Sequence, residues 1–409
     1  MWNSVAPWIP TGYGQQSALF LPRIKALGHD VTMSAFAGIE GAITQWEGIK
    51  IYPCDVSKLN KWALPKYVER EAENGDVRSV QVITLQDVWT WLEEAYGGIA
   101  QYSGLRMASW CPVDHDPVPP GVIRALKQYD SRPIAMSRFG ERALQQFDFD
   151  PLYVPHGVDT KVMAPRHDAS DVIREAMDIP KDSFLFGMVA ANQGQAPPRK
   201  AFPQVFEAFA IFRQHHDDAF LYIHTDWMGL NKGLNLVALS QVYGIYDYVK
   251  YVKSEPYWFG EVDQLQMSYI YSMMDCLLNP SYGEGFGVPI IEAQACGTPV
   301  IVTNWTAMPE LVGAGWTVEG DPWYNPGAAS RWKLVSIYDL VDKMEEAYEK
   351  RGDEQLRKRA RVFAEQYDVD LVTEKFWKPT LEALEKPREV APLNRAMARR
   401  HRKRQKSAA

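Results

Sequence analysis

The stretch of sequence that decides the fold is Asn279-Pro-Ser-Tyr-Gly-Glu-Gly-Phe-Gly-Val-Pro-Ile-Ile-Glu-Ala-Gln-Ala-Cys-Gly-Thr-Pro-Val-Ile-Val-Thr303. Its apolar residues predict one strand that ends at Asn279 and a second over residues 299–303. Between them, a turn with three glycines leads into a helix predicted over residues 289–296. A strand, a helix and another strand in this order predict a β-α-β unit, and therefore a parallel sheet.

The turn in this stretch contains both groups that attract an anion and groups that repel one. Gly283, Gly285 and Gly287 let backbone N–H groups and the helix N-terminus approach an anion such as phosphate. Glu284 lies in the turn, and Glu292 lies one turn into the helix. Carboxylates repel a phosphate but accept hydrogen bonds from hydroxyl groups on either side of it, as in a nucleotide-sugar. The alternative interpretation is a surface loop with two exposed glutamates.

The spacing of Glu284 and Glu292, with seven residues between them, resembles the signature of retaining glycosyltransferases of the GT-B fold, family four, the group 1 type. The flanking Pro-Ser, Gly-Phe-Gly, Glu-Ala and Gly-Thr-Pro-Val-Ile are similar as well. The resemblance implies that Glu284 is catalytic and binds the donor sugar, and that Glu292 binds the ribose. It implies that the amides of Gly285, Phe286 and Gly287 face the sugar and phosphates. It also implies a nucleotide-diphosphate-sugar as co-substrate, with no other cofactor and no metal ion.

Alternating apolar runs and amphipathic stretches continue along the chain and predict an α/β fold of two doubly wound Rossmann-like domains facing across a cleft. Strands are predicted at residues 2–9, 31–36, 79–85, 105–110, 133–136, 152–154, 184–190, 220–224, 249–252, 276–279 and 299–303. The resemblance implies an acceptor domain over residues 1–155 and a donor domain over 157–361. It also implies a returning helix at about 362–386, chiefly 372–384, with Trp377 packed on the first domain.

A basic pair, Arg199 and Lys200, lies between a predicted strand and a predicted helix. Two cations at this position can neutralise a diphosphate and the charge that grows on it as the glycosidic bond breaks. The surrounding loop departs from the pattern of the family, which has Gly-Arg and then Lys-Gly. We interpret the pair as catalytic and donor-binding; the alternative is a solvated basic pair.

The first half of the chain offers candidates for the facing wall of the cleft. Gly12 and Gly14 follow the first strand and allow the backbone to approach phosphate or sugar closely. Asp114 and His115 lie in a proline-rich segment after a strand, and the resemblance implies that such residues face the sugar. The alternative is a turn capped by aspartate side chains, which suits Asp116 best because it precedes a proline.

Charge and composition limit the other functions. The net charge is −7, so the body of the chain is not a general polyanion binder. Residues 387–409 carry eight basic residues against one glutamate and predict a disordered, solvated tail; the alternative is a weak electrostatic contact with an anionic surface. The four cysteines are far apart, and neither a secretory signal nor a long apolar stretch is recognisable, so we expect reduced thiols and a cytoplasmic protein.

These observations favour a retaining glycosyltransferase, of the hexosyltransferase type, that moves a sugar from a nucleotide-diphosphate-sugar to an acceptor hydroxyl. The acceptor is open: a glycan, a lipid, a protein or a small molecule. The base and sugar of the donor, and the oligomeric state, are open too. Alternatives are a non-catalytic nucleotide-sugar-binding or scaffold protein, a polyanion-docking protein that acts through its basic tail, and a sugar epimerase on the same fold.

Overall fold

The first of two large sheets is built from the N-terminal part of the chain. The computed structural model describes residues 1–56, 59–60, 62–92, 104–194 and 197–386. Within them, eight strands pair in the order β3-β4-β2-β1-β5-β6-β7-β8, all parallel except β3 with β4. Their bounds are β1 Trp2–Val5, β2 Thr32–Ala37, β3 Thr44–Trp46, β4 Ile49–Tyr52, β5 Gln81–Leu85, β6 Arg106–Cys111, β7 Arg132–Ala135 and β8 Leu152–Tyr153.

The second sheet is parallel throughout, with the order β11-β10-β9-β12-β13-β14 in the described part of the chain. Its strands are β9 Phe184–Val189, β10 Ala219–His224, β11 Val249–Tyr251, β12 Cys276–Asn279, β13 Val300–Thr303 and β14 Gly315–Val318. A separate antiparallel hairpin follows, with β15 Gly320–Asn325 and β16 Ser330–Val335. The predicted pair of doubly wound α/β domains is confirmed.

Helices connect the strands and cover the sheets. Several begin at a side chain that accepts a hydrogen bond from the first turn, as Ser137 does from Gly140 N at 3.0 Å. Pro22 lies inside the first helix, and that helix continues through it. The bounds are α1 Gly12–Ala26, α2 Ala63–Glu71, α3 Pro120–Gln128, α4 Arg138–Gln145, α5 Ser170–Ala176, α6 Phe202–Arg213, α7 Leu236–Val242, α8 Ser254–Trp258, α9 Gln264–Met273, α10 Val288–Ala295, α11 Ile337–Glu349, α12 Glu354–Ala364, α13 Val369–Val372 and α14 Lys378–Glu385.

Helix α6 shows how apolar spacing positions the basic pair. Val205, Phe206, Phe209 and Phe212 recur at helical spacing, and all four are buried. Phe212 lies edge-on to Phe186 of β9, with ring centroids 5.4 Å apart. Because α6 starts directly after the basic pair, this packing holds the pair at the carboxyl edge of the second sheet.

The end of the described chain returns to the first sheet. The single helix expected over residues 372–384 is in fact α13, a π-helical turn and α14. Trp377, in the π-helical turn, is fully buried, and its ring centroid lies 4.9 Å from Trp110 and 5.4 Å from Trp2. The predicted basic tail, residues 387–409, lies outside the described residues.

Several elements had no counterpart in the sequence prediction: the β3–β4 pair, α2, α8, β14, α12 and the hairpin β15–β16. The hairpin contains Pro322, and a proline argues against a strand because it lacks the N–H that a ladder uses. The partner of β15 is β16, the next strand along the chain, and the apolar pattern did not predict this pairing. Among the helices that the structure describes, none combines the length and the apolar character that a bilayer crossing requires.

Candidate functional site

The site lies where loops at the carboxyl ends of β6 and β12 touch. A Cβ atom on Gly283 would be 2.0 Å from the carbonyl oxygen of Asp114, and one on Gly285 would be 2.3 Å from Pro112 Cβ. Neither distance is tolerable, so glycine is required at both positions. The glycine-rich turn of the second domain therefore lies directly on a loop of the first domain, and the two sheets meet at this point.

Glu284 is the centre of a buried ion-pair group. Its carboxylate accepts hydrogen bonds from Arg199 Nη1 at 2.8 Å and from Lys200 Nζ, and its side chain is only 8% exposed. Burial would raise the pKa of Glu284, but the charges of Arg199 and Lys200 outweigh burial and lower it to about 2. The structure thus brings together three of the residues that the sequence assigned to catalysis.

Hydrogen bonds to and from the backbone also hold this group in place. Tyr282 N donates to the carbonyl oxygen of Arg199 at 2.8 Å, and Arg199 Nη1 also donates to the carbonyl oxygen of Gly283 at 2.7 Å. On the far side of the turn, Glu284 N donates to Thr306 Oγ1 at 3.0 Å. Burial and the neighbouring guanidinium lower the pKa of Lys200. The group is a set of two partly buried cations and one buried anion.

Glu292 lies in a different environment. Its carboxylate accepts a hydrogen bond from the hydroxyl of Tyr271 on α9 at 2.8 Å, and both residues are buried. Burial raises the pKa of Glu292 to about 7, although the hydrogen bond from Tyr271 acts in the opposite direction. Unlike Glu284, it forms no ion pair within the described residues, so no neighbouring cation offsets the effect of burial on its pKa.

Asp114 and His115 lie together, as the sequence proposed. His115 Nδ1 lies 2.6 Å from Asp114 Oδ1, and the histidine is 6% exposed. Burial would raise the pKa of Asp114, but His115 and Arg199 outweigh burial and lower it. The hairpin β15–β16 covers the histidine, since the ring of Trp332 stacks on it at 5.0 Å.

The remaining glycines and Phe286 have structural environments of their own. A Cβ on Gly14 would be 2.1 Å from the carbonyl oxygen of Ile9, whereas one on Gly12 meets nothing within 4 Å. Gly287 has φ +108° and directly precedes α10, so it makes the left-handed entry to that helix. The Phe286 ring is buried and lies edge-on to His156, with ring centroids 5.1 Å apart.

One further carboxylate of the cleft escaped the sequence interpretation. Asp87 follows β5, and its charge interacts with those of Asp114, Arg199 and His115. Burial, and then the charge of Asp114, raises its pKa to about 6. The sequence could have predicted this position, because β5 pairs with β6 and the carboxyl ends of neighbouring parallel strands meet at one edge of the sheet. Within the described residues, no three His, Cys, Asp or Glu side chains group in a way that could hold a metal ion.

Comparison with known proteins agrees with this geometry. Residues 170–319, which include β9–β14 and the Glu284 turn, match the family model described as Glycosyl transferases group 1. Over this segment the chain resembles the group 1 glycosyltransferases. The segment contains the basic pair and both signature glutamates, so the family match and the ion-pair group refer to the same residues.

Curated relatives match this chain over limited stretches. The D-inositol 3-phosphate glycosyltransferase of Salinispora tropica is 31% identical over 171 residues, which cover 39% of this chain and 33% of that protein. O-antigen chain mannosyltransferase B of Escherichia coli is 40% identical over 80 residues, 20% of each chain. The matches therefore span about a third or less of the length of these relatives.

Solved structures resemble this chain over nearly its whole length. A glycosyltransferase from Rickettsia africae ESF-5 has a TM-score of 0.68 at 16% identity, covering 94% of this chain and 99% of that one. Anabaena HepE in complex with UDP-glucose has a TM-score of 0.64 at 16% identity, covering 93% and 99%. At this level of identity the likeness shows the fold, which is the GT-B arrangement expected from the sequence.

Proposed function

We propose that this protein transfers a sugar from a nucleoside-diphosphate sugar to an acceptor hydroxyl, with retention of the anomeric configuration. The observation that carries the proposal is the buried group of Glu284, Arg199 and Lys200 at the contact between the two domains. In this proposal the two cations neutralise the diphosphate leaving group, and the carboxylate accepts hydrogen bonds from sugar hydroxyls. The complex of Anabaena HepE with UDP-glucose, a protein of the same fold, supports a donor of this class.

The chemistry we propose depends on the leaving group rather than on a protein nucleophile. The bond between the anomeric carbon and the diphosphate oxygen breaks, and the acceptor oxygen bonds to the same face of that carbon. The acceptor proton passes to the departing phosphate oxygen. Arg199 and Lys200, rather than a metal ion, neutralise the charge that develops on the diphosphate.

Glu292 and the contact between the domains complete the proposal. Glu292 holds the ribose hydroxyls, and Tyr271 orients its carboxylate from behind. The close approach of the two domains excludes water, because a sugar cation exposed to water would be hydrolysed. Asp87 and Asp114 line the wall contributed by the first domain, where acceptor and sugar hydroxyls find carboxylate acceptors.

A screen of UDP-, GDP- and ADP-sugars by thermal shift tests donor binding, and NMR of the anomeric proton in the product tests retention. We expect one nucleotide series to raise the melting temperature. Lys200→Ala is expected to lower turnover about 100-fold or more, because it removes a buried cation from the leaving group. Glu292→Ala is expected to weaken donor binding. No thermal shift with any activated sugar, or an unchanged Lys200→Ala variant, would contradict the proposal.

A further inference from the structure

We propose that the hairpin β15–β16 of the second domain orients Asp114 of the first domain, and that it does so through His115. In this assignment Asp114 contacts the substrate, whereas His115, Asn325 and Trp332 are positioning residues. The effect on catalysis rests on the proposed function. The geometry itself rests on contacts between described residues.

The hairpin docks on the loop that follows β6. Asp116 N donates to the carbonyl oxygen of Arg331 at 3.2 Å, and Arg331 Nε donates back to the carbonyl oxygen of Asp116 at 3.2 Å. Ser330 Oγ donates to the carbonyl oxygen of Pro117. Trp332 stacks on His115, with an interplanar angle of 22°. The hairpin therefore bridges the domains, although it follows β14 of the second sheet directly along the chain.

The hydrogen bonds of Asn325 determine which nitrogen of His115 carries the proton. Asn325 Oδ1 accepts from Gly327 N at 3.0 Å within the hairpin turn, so its amide nitrogen is the atom that lies 3.1 Å from His115 Nε2. An amide nitrogen only donates, so Nε2 must accept and the ring proton resides on Nδ1. That proton is donated to Asp114 Oδ1 at 2.6 Å.

This arrangement leaves Asp114 as the group that can act on a substrate. Both ring nitrogens of His115 are occupied, and the ring is enclosed by Trp332. The Asp114 side chain is 29% exposed, and its second oxygen has no hydrogen-bond partner among the described residues. Its charge acts on Arg199 and on Tyr13. A carboxylate with one oxygen held and the other free presents a fixed acceptor to a hydroxyl group.

The same contact links the orientation of Asp114 to the closure of the cleft. His115 and Asn325 are 210 residues apart in the chain and belong to different domains. When the domains separate, His115 loses both Asn325 and Trp332, and the carboxylate loses the constraint on its direction. The hairpin thereby restricts the aligned state of Asp114 to the closed protein.

Histidine NMR tests the tautomer directly. In full-length protein labelled with ¹⁵N-histidine, the His115 resonance is the one lost in His115→Gln. We expect it to report a proton on Nδ1 and none on Nε2. Asn325→Asp keeps an oxygen for Gly327 N but turns the donor into an acceptor, so we expect a proton to appear on Nε2. A wild-type proton on Nε2, or an unchanged resonance in Asn325→Asp, would overturn the assignment.

Kinetics test the consequence, with release of nucleoside diphosphate as the readout and the nucleotide-sugar that gives the largest thermal shift as the probe. Asn325→Asp is expected to lower kcat about tenfold or more while the donor KM stays within about threefold of wild type. Trp332→Phe replaces the stacked indole, whose N–H has no hydrogen-bond partner among the described residues, by a smaller ring, and is expected to have a smaller effect in the same direction. Tyr324→Phe, at a hairpin residue that is 60% exposed, is the control.

Conservative replacement separates positioning from a merely structural role. His115→Gln supplies one donor and one acceptor and is expected to retain more of kcat than His115→Leu, at equal free energy of unfolding. Equal losses in the two variants, or a fall in kcat that follows stability alone, would contradict the positioning role. Absence of nucleotide-sugar binding in the wild type would contradict the proposed function instead, while the NMR result would still decide the geometry.

Discussion

Arg199 Nη1 donates a hydrogen bond to Glu284 Oε2 at 2.8 Å, and the two residues come from loops after different strands of the second sheet. With Lys200 on the other carboxylate oxygen, they form a group of net charge +1 at the edge of the sheet. The carboxylate keeps two buried cations together, and it competes with any bound diphosphate for them. Its removal must therefore affect stability, affinity and turnover in different directions.

Glu284→Gln is predicted to separate these effects. Two partly buried cations then lack their anion, so the free energy of unfolding is expected to fall by about 2 kcal/mol. The same cations become fully available to an anion, so UDP or the corresponding product diphosphate is expected to bind about threefold or more tightly. Turnover is expected to fall about 100-fold, because the acceptor for the sugar hydroxyl is weakened.

Urea denaturation, calorimetry with the nucleoside diphosphate and steady-state kinetics measure the three quantities. Glu346→Gln is the control, since Glu346 pairs with Lys343 at 2.6 Å on the protein surface. That exposed pair is expected to contribute less than about 1 kcal/mol. Weaker diphosphate binding in Glu284→Gln would show that the carboxylate does not compete for the cations.

The raised pKa of Glu292 predicts that the stability of the protein depends on pH. Its pKa is raised to about 7 in the folded protein, so its favourable contribution is complete below the unfolded value of 4.5 and is lost as the pH rises through 7. Glu292→Gln retains an acceptor for Tyr271 but cannot ionise. Between pH 5 and pH 8.5 the variant is expected to gain up to about 3 kcal/mol of unfolding free energy relative to wild type. Parallel pH profiles from urea denaturation would contradict this prediction.

Gly14 and Gly12 lie in the same helix, and we expect their replacement by alanine to have opposite effects on the free energy of unfolding. Gly14→Ala places a Cβ 2.1 Å from the carbonyl oxygen of Ile9, so the turn before α1 must move, and we expect a loss of about 2 kcal/mol or more. Gly12→Ala meets no atom within 4 Å and replaces a flexible residue in a helix, so its unfolding free energy is expected to stay level or rise by about 0.5–1 kcal/mol. Thermal and urea denaturation of both variants check the contrast.

Glu310 predicts a contribution to the contact between the domains. It follows β13, and its two carboxylate oxygens accept from Arg138 N at 2.7 Å and from Phe139 N at 3.0 Å, at the start of α4 in the first domain. Glu310→Gln turns one acceptor into a donor that faces an N–H group. The closed arrangement is expected to lose about 1–2 kcal/mol, which small-angle scattering would detect as a larger radius of gyration.

The matched control for this variant is Glu374→Gln. Glu374 is 60% exposed and pairs only loosely with Lys378, at 3.4 Å, within the C-terminal segment. We expect scattering from this control to equal that of the wild type. An unchanged radius of gyration in Glu310→Gln would show that other contacts hold the domains together without it.

Local patterns predicted most of the sheet strands and several site residues. The strand over Cys276–Asn279 coincides with the prediction, because short apolar runs bounded by turn residues are a local signal. Glu284 and the basic pair each follow a strand of the second sheet, and the strand ends of a parallel sheet share one edge. Asp87 obeys the same rule and could have been found, whereas the tyrosine behind Glu292 depends on how α9 packs against α10.

The order of most strands and helices, and the residue types of the proposed diphosphate site, follow from the amino-acid sequence, because turn chemistry and apolar periodicity act over a few residues. Only the tertiary structure decided that Gly283 must be glycine for the domains to meet and that a hairpin holds His115. Those relationships join residues of different domains. Their cause is the shape and hydrogen bonding of two surfaces in contact, and these cannot be recognised in any one stretch of the chain.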